Sequence, residues 1–298
     1  MTEQELAKAE MQVKKLGISE AFTPELAEQM KNGMPQINQK FSKKYEDGEA
    51  SATLYWKKSD NSNQYFLNKF DQTAKKENGE PISKTFYVNN FNGRRDLDSE
   101  RAEKFYTNFT FKSAYNYLAG RPVFNNYQNQ KGDNYTSWDS AKMNDGKLVE
   151  KHYHQNYGFD INKVLENYSI REVAIPLQKE RLLQSLQRGN MQSVTFLDKD
   201  GKPEQLYISP NIPLGSLNVY DQSKTRIPTQ ALVDRGLIGK ELAEKLIQGI
   251  ANLKQKNEKT LSNANENKNI AKTESTNIVK GESAQRKRHV KRHKNNKS

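Results

Sequence analysis

Apolar residues recur at helical spacing near the start of the chain. The residues that carry this pattern are Leu6, Ala9, Val13 and Leu16. Thr2 precedes them, and Glu5 follows Thr2 at the spacing of a capping box, in which each of the two side chains bonds a free backbone amide of the first turn. Gly17 then supplies the left-handed backbone that commonly ends a helix. The pattern predicts an N-terminal helix over residues 1–17.

The next segment changes from helical spacing to the alternation that is typical of half-buried strands. Thr23 and Pro24 predict the start of a short helix, with proline at its first position, and Gly33 predicts its end. Strands are predicted at 52–56, where Ala52, Leu54 and Trp56 alternate with polar residues, at 65–70 and at 86–90. We interpret residues 18–109 as one helix-plus-sheet unit that carries a charged insertion at 91–109.

Two further segments repeat the order of helix, glycine and strands. In residues 110–168, Thr110 caps a helix that Gly120 ends, and in residues 169–227 a leucine-rich helix ends at Gly189. The strands predicted in these two segments lie at 135–138, 147–153, 194–197, 205–209 and 217–220. The sequence therefore predicts an α+β fold made of divergent repeats, each a short helix packed on a small antiparallel sheet.

The C-terminal part of the chain divides into a helical segment and a tail. Residues 228–253 carry apolar positions at helical spacing, although three glycines weaken the pattern. From residue 254 to 298 the chain is rich in Asn, Lys, Glu, Ser and Thr and has few residues that could form a core. Such a composition does not offset the entropy lost on ordering, so we expect a disordered tail.

The positive charge of the chain is concentrated in that tail. Residues 254–298 hold 13 Lys and Arg against 4 Asp and Glu, which is +9 of the formal net charge of +12 and leaves +3 for the rest. Seven fixed cations are crowded into the last thirteen residues. They are Arg286, Lys287, Arg288, Lys291, Arg292, Lys294 and Lys297. A flexible polycation of this kind neutralises phosphates without a shaped groove, so we predict non-specific nucleic-acid binding there.

The absence of cysteine excludes disulfides, thiolate nucleophiles and cysteine zinc sites, and it fits a reducing compartment. The N-terminus lacks the continuous apolar stretch of a signal peptide, and no run approaches the roughly 20 apolar residues of a membrane span. The tail also lacks aromatic and leucine anchors beside its basic run. We therefore expect a cytoplasmic protein with no membrane partner.

The candidates for catalysis and metal binding are few. His152 and His154 lie two residues apart on a predicted strand, so both would be on one face, but two ligands are too few for a stable zinc site. No nucleophile elbow and no phosphate-binding glycine loop occurs. The carboxylates of the insertion are interspersed with arginines and are interpreted as a solvated charge run. We expect no enzyme activity, no metal and no cofactor.

Several segments resemble a family of proteins of unknown function encoded on conjugative and other mobile elements of Bacteroidetes. The matching segments are ATLYWKKSDNSNQYFLNKFD, FKSAYNYLAGRPV, KHYHQNYGFD, LLQSLQRGNMQSVTF and SLNVYDQ, which together span most of residues 20–222. Members of that family carry a domain also found beside topoisomerase-like and primase-like proteins. The resemblance implies a genomic neighbourhood but no catalytic residue, ligand or reaction.

These observations lead to one hypothesis and one alternative. The hypothesis is a non-enzymatic accessory protein of a mobile element, whose tail binds nucleic acid and whose core binds a DNA-processing protein partner. The alternative is a protein-interaction module, acting as a regulator or a counter-defence factor, in which the basic tail is incidental.

Overall fold

The computed structural model describes residues 1–77, 79–88, 109–128 and 134–255. Residues Met1–Gly239 form one compact unit, and the residues from Lys240 onward belong to a second, of which 240–255 are helical. Almost all of the predicted insertion at 91–109 lies outside the described residues. The same is true of the predicted basic tail from residue 256 onward.

In the compact unit Met1–Gly239, each run of consecutive strands follows one or two helices. Its α-helices in chain order are α1 (Glu3–Lys15), α2 (Pro24–Lys31), α3 (Phe111–Leu118), α4 (Ile161–Leu165), α5 (Pro176–Gln187) and α6 (Thr229–Asp234). Its strands are β1 (Gln36–Tyr45), β2 (Gly48–Lys58), β3 (Tyr65–Lys76), β4 (Ile82–Tyr87), β5 (Val123–Gln128), β6 (Asn134–Asn144), β7 (Lys147–His154), β8 (Gln192–Leu197), β9 (Pro203–Asn211) and β10 (Ser216–Tyr220).

The ten strands found in the described residues form three separate antiparallel sheets. The first sheet has the order β1-β2-β3-β4, the second β5-β6-β7 and the third β8-β9-β10. Every strand therefore pairs with its neighbour in the sequence, and each sheet is a simple meander. The predicted α+β class is confirmed.

A helix that ends at a left-handed glycine precedes each of the three sheets. Gly33 after α2 has φ 73°, Gly120 after α3 has φ 83°, and Gly189 after α5 has φ 76°. This confirms the prediction that all three glycines end short helices. The predicted capping box at Thr2 and Glu5 is also present, as is the Thr110 cap of α3.

Helix α3 is the centre of the packing. It contacts β3 and β4 of the first sheet and also β5 and β6 of the second, so it lies between two sheets. Seven of its eight residues are buried, which is the pattern of a helix surrounded on all sides. Phe111 fixes its start, because the ring packs edge-on against Phe41 at 5.2 Å and the backbone N–H donates to the carbonyl of Leu16.

Two strands were not predicted from the sequence. Strand β1 presents Ile37, Phe41 and Tyr45 four residues apart, which resembles a helical spacing, and the intervening positions are largely polar. Strand β5 contains two adjacent asparagines, which are more typical of turns. Both strands form because pairing with β2 and with β6 satisfies their backbone groups.

Among the described residues, no helix has the length and apolar character needed to cross a membrane.

The backbone at Gly189 is both left-handed and closely packed. An added Cβ would lie 2.8 Å from Cγ2 of Val123 and 3.0 Å from Cβ of Asn116. We expect Gly189→Ala to lower the free energy of unfolding by about 1–2 kcal/mol for the left-handed backbone and by about 1–3 kcal/mol more for overpacking. Urea denaturation measures both contributions together.

Gly201 provides the matched control, because it has a similar φ of 74° and no atom within 4 Å of an added Cβ. Gly201→Ala should show the backbone cost alone. Equal losses in the two variants would show that the close approach at Gly189 is unimportant.

Candidate binding site

A polar cleft of about 680 Å³ lies where parts of all three helix-plus-sheet units meet. These three units are α2 with β1–β4, α3 with β5–β7, and α5 with β8–β10. The turn between β1 and β2 forms one wall, α3 and the loop after it form the floor, and the segment from α5 into β8 forms the opposite wall. The charged residues that line the cleft are Lys44, Glu46, Asp47, Lys112, Arg121 and Lys224. We call this the junction cleft.

Arg121 connects the three units at the floor of the junction cleft. The residue is 9% exposed and follows Gly120 directly, so the left-handed turn after α3 aims its side chain back under the helix. Its Nη1 donates to the carboxylate of Asp47 in the β1–β2 turn, and its Nε donates to the carbonyl of Gly189 at 3.0 Å. Its Nη2 donates to Oδ1 of Asn116 at 2.6 Å. The guanidinium is therefore held by contacts to all three units.

Asp47 is held as an anion by its surroundings. Burial alone would raise the pKa of Asp47, but the charge of Arg121 and hydrogen bonds from Arg121 and Tyr115 outweigh burial and lower it. The hydroxyl of Tyr115 donates to Oδ1 of Asp47 at 2.9 Å. Glycine at position 48 makes this contact possible, because an added Cβ would lie 2.7 Å from the same hydroxyl.

Asparagine side chains extend the same network toward the third unit. The amide of Asn116 donates to the carbonyl of Arg188 at 2.8 Å and to Oδ1 of Asn190 at 2.9 Å. Asn190 in turn donates to Oγ of Ser185, which donates to Gln192. Because the polar groups of the floor bond one another, the floor is preorganised.

Lysines lie at the rim of the junction cleft. Lys224 donates to Glu46 at 2.8 Å, whereas Lys44 and Lys112 make no ion pair with any described residue. The ammonium group of Lys112 lies 5.8 Å from the centre of the Tyr45 ring, where the ring attracts a cation.

A further lysine stands close to the floor. Burial lowers the pKa of Lys76, and the positive charge of Arg121 lowers it further, against the opposing effect of Asp47.

A second polar cluster lies on the middle sheet. Asp139 of β6 is 1% exposed and accepts four hydrogen bonds from side chains. The donors are Asn125 at 2.8 Å, Ser137 at 2.7 Å, Nδ1 of His152 at 2.8 Å and the hydroxyl of Tyr127. Burial would raise the pKa of Asp139, but these hydrogen bonds lower it.

The predicted histidine pair therefore divides into two different environments. His152 faces Asp139 across the β6–β7 ladder, and its side chain is 46% exposed. His154 contacts the ring of Tyr135 instead, at 5.5 Å between ring centres. No group of three metal-ligating side chains occurs in the part of the chain that the structure describes. An Asp–His pair is an arrangement that could move a proton, and sequence reasoning missed it because only the strand register brings the two residues together.

The predicted nucleic-acid-binding cations at 286–298 lie outside the described residues, so their placement stays a prediction. The residues of the junction cleft were not predicted as a site. Arg121 follows the helix-ending Gly120, and no local pattern in the sequence connects it with Asp47.

Comparisons with protein-family models, with curated proteins and with solved structures found no match to this chain.

The Asp139–His152 pair predicts a pH-dependent stability. The hydrogen bond to Asp139 raises the pKa of His152, burial opposes this, and the charges of Glu150 and Lys84 act in opposite directions. The folded state therefore holds the proton more tightly than the unfolded state. The pair's contribution is complete below the unfolded-state pKa of about 6.5 and is lost as the pH rises through the raised folded-state pKa.

We therefore expect His152→Gln to lower the free energy of unfolding more at about pH 5.5 than at about pH 9. Urea denaturation across this range measures the difference. His154→Gln is the control, since His154 bonds no carboxylate among the described residues, and it should show a smaller pH dependence. A loss at His152 that does not change with pH would contradict the pairing.

Proposed function

We propose that this protein is a non-enzymatic, nucleic-acid-associated accessory protein of a mobile genetic element. In this proposal the seven cations of residues 286–298 neutralise phosphates without reading sequence. The core binds a DNA-processing protein partner and thereby positions it on the nucleic acid. The cysteine-free composition suits a reducing compartment, so we place the protein in the cytoplasm.

The observation that carries the proposal is the separation of charge along the chain. Of the net charge of +12, the residues from 254 onward hold +9, and more than half of their cations lie within the last thirteen positions. Binding to a nucleic-acid backbone depends on the number of phosphates neutralised, and it needs no shaped groove when the cations are crowded together. The remaining +3 is small for a core of more than 250 residues.

The chemistry of the described residues supports binding rather than catalysis. The partly buried Asp47 and the buried Asp139 are both held as anions by several donors, and each nitrogen of the Arg121 guanidinium donates a hydrogen bond. Side chains that are held by several hydrogen bonds stabilise a rigid scaffold. The three helix–glycine–meander units also support our proposal that the core arose from divergent repeats, which would give a partner several similar surfaces.

A salt titration tests the role of the tail. We expect full-length protein to bind duplex DNA with a slope of log affinity against log salt of about −4 to −5, corresponding to about four to six neutralised phosphates. A full-length variant with all seven tail cations replaced by glutamine, the tail-neutral protein, should lose most of this slope. Two duplexes of equal length and unrelated sequence should give the same result.

The matched control removes the same charge from the described surface. It replaces seven exposed lysines that form no ion pair with described residues, namely Lys15, Lys31, Lys142, Lys147, Lys151, Lys163 and Lys202. The control should retain most of the slope. Equal losses in both variants would contradict a tail-based site, and no binding by the wild-type protein at low salt would favour the protein-interaction module.

A further inference from the structure

The junction cleft has cations that the structure does not neutralise. Its six charged lining residues are four cations and two carboxylates, and the carboxylates are both taken, Asp47 by Arg121 and Glu46 by Lys224. Lys44 and Lys112 remain without a carboxylate partner among the described residues, and both are exposed at the rim. The lining residues of the cleft thus have a net charge of +2. Because the cleft is concave, its low-dielectric walls strengthen the attraction of an anion to these cations.

The two exposed lysines of the cleft are donors. Lys44 and Lys112 carry only donors and no acceptor. Tyr45 also lines the cleft, but its hydroxyl is buried and is not presented to a ligand. A ligand that offers acceptors and negative charge would complement the two lysines.

The charged groups on the floor and at the rim of the cleft indicate which class of anion it binds. The planar fork of Arg121 suits bidentate carboxylate binding, but each of its three nitrogens already donates a hydrogen bond, to Asp47, Asn116 or Gly189. The free cations are lysines, which bind phosphates as point charges. The volume of about 680 Å³ lies within the range of sites for nucleotide-sized ligands.

We propose that the junction cleft binds the phosphate group of a nucleotide unit, held by Lys44 and Lys112 at the rim above the Arg121 floor. The unit belongs to a nucleic-acid strand or to a free nucleotide, which share this chemistry. The site is separate from the basic tail and does not rest on the proposed tail binding. It would give the core a fixed contact with the ligand, whereas the tail would give sequence-independent attraction.

The experiment uses the full-length tail-neutral protein, so that the tail contributes little to the affinity. Binding of a short fluorescent oligothymidylate is measured by anisotropy at low salt. We expect the double variant Lys44→Gln, Lys112→Gln to weaken binding by at least about tenfold, as the loss of two charge-assisted contacts requires. The slope against log salt should fall by about 0.7, because the two lysines hold one phosphate and each phosphate on a single strand contributes about 0.7.

The matched control is Lys142→Gln, Lys151→Gln in the same background. These two lysines are exposed on the middle sheet, form no ion pair with described residues and lie outside the cleft lining, so the control removes the same charge elsewhere. It should change the affinity by less than about twofold. Circular dichroism and thermal unfolding should show that all variants keep the fold, since the four substituted side chains are exposed.

Competition distinguishes the sources of the phosphate. Displacement of the oligonucleotide by thymidine monophosphate or inorganic pyrophosphate, with the same sensitivity to the cleft variant, supports a free nucleotide. Displacement only by unlabelled oligonucleotide supports a strand. Equal effects of the cleft and control variants, no binding by the tail-neutral protein, or displacement by a polyglutamate peptide at lower concentration than by the oligonucleotide would each overturn the proposal.

Discussion

The ion pair between Arg121 and Asp47 is the contact on which the arrangement of the three sheets depends. Its side chains are 10% and 27% exposed, and they come from a loop after α3 and from the turn between β1 and β2. A partly buried pair of this kind is costly to desolvate, and its attraction compensates best when further hydrogen bonds satisfy both partners. Tyr115 supplies such a bond to Asp47, and Asn116 and Gly189 accept further bonds from Arg121. The pair therefore specifies how the units meet.

The junction cleft is a consequence of this contact. Because the three meanders pair only within themselves, their relative positions are set by side-chain contacts and by α3, which is buried between two of the sheets. Lys44 and Lys112 at the rim of the cleft then have no carboxylate partner among the described residues, while hydrogen bonds hold the floor in place. In the function that we propose, the tail raises the local concentration of a polyanion and the cleft holds one unit of it.

Features encoded by neighbouring residues could be predicted from the sequence, whereas features encoded by distant residues could not. The capping box at Thr2 and Glu5 and the helix-ending glycines depend on a few adjacent positions. Strand β1 was missed because Ile37, Phe41 and Tyr45 recur every four residues. Arg121 and Asp47 are 74 positions apart, and Asp139 meets His152 only through the register of β6 and β7. Both polar clusters depend on the tertiary fold, which no local pattern shows.

Hydrogen exchange on the Arg121→Gln variant tests most directly whether this residue connects the three sheets. We expect the free energy of opening to fall by about 1–3 kcal/mol, because the partly buried Asp47 loses its partner. The fall should appear together in the protected amides of β2, β6 and β9, and adding Asp47→Asn should recover part of it, since the two residues act as a pair. Lys57→Gln, which breaks the exposed pair with Asp60, should change little. A loss of protection that is confined to the second sheet, β5-β6-β7, would contradict the claim that Arg121 connects the three sheets.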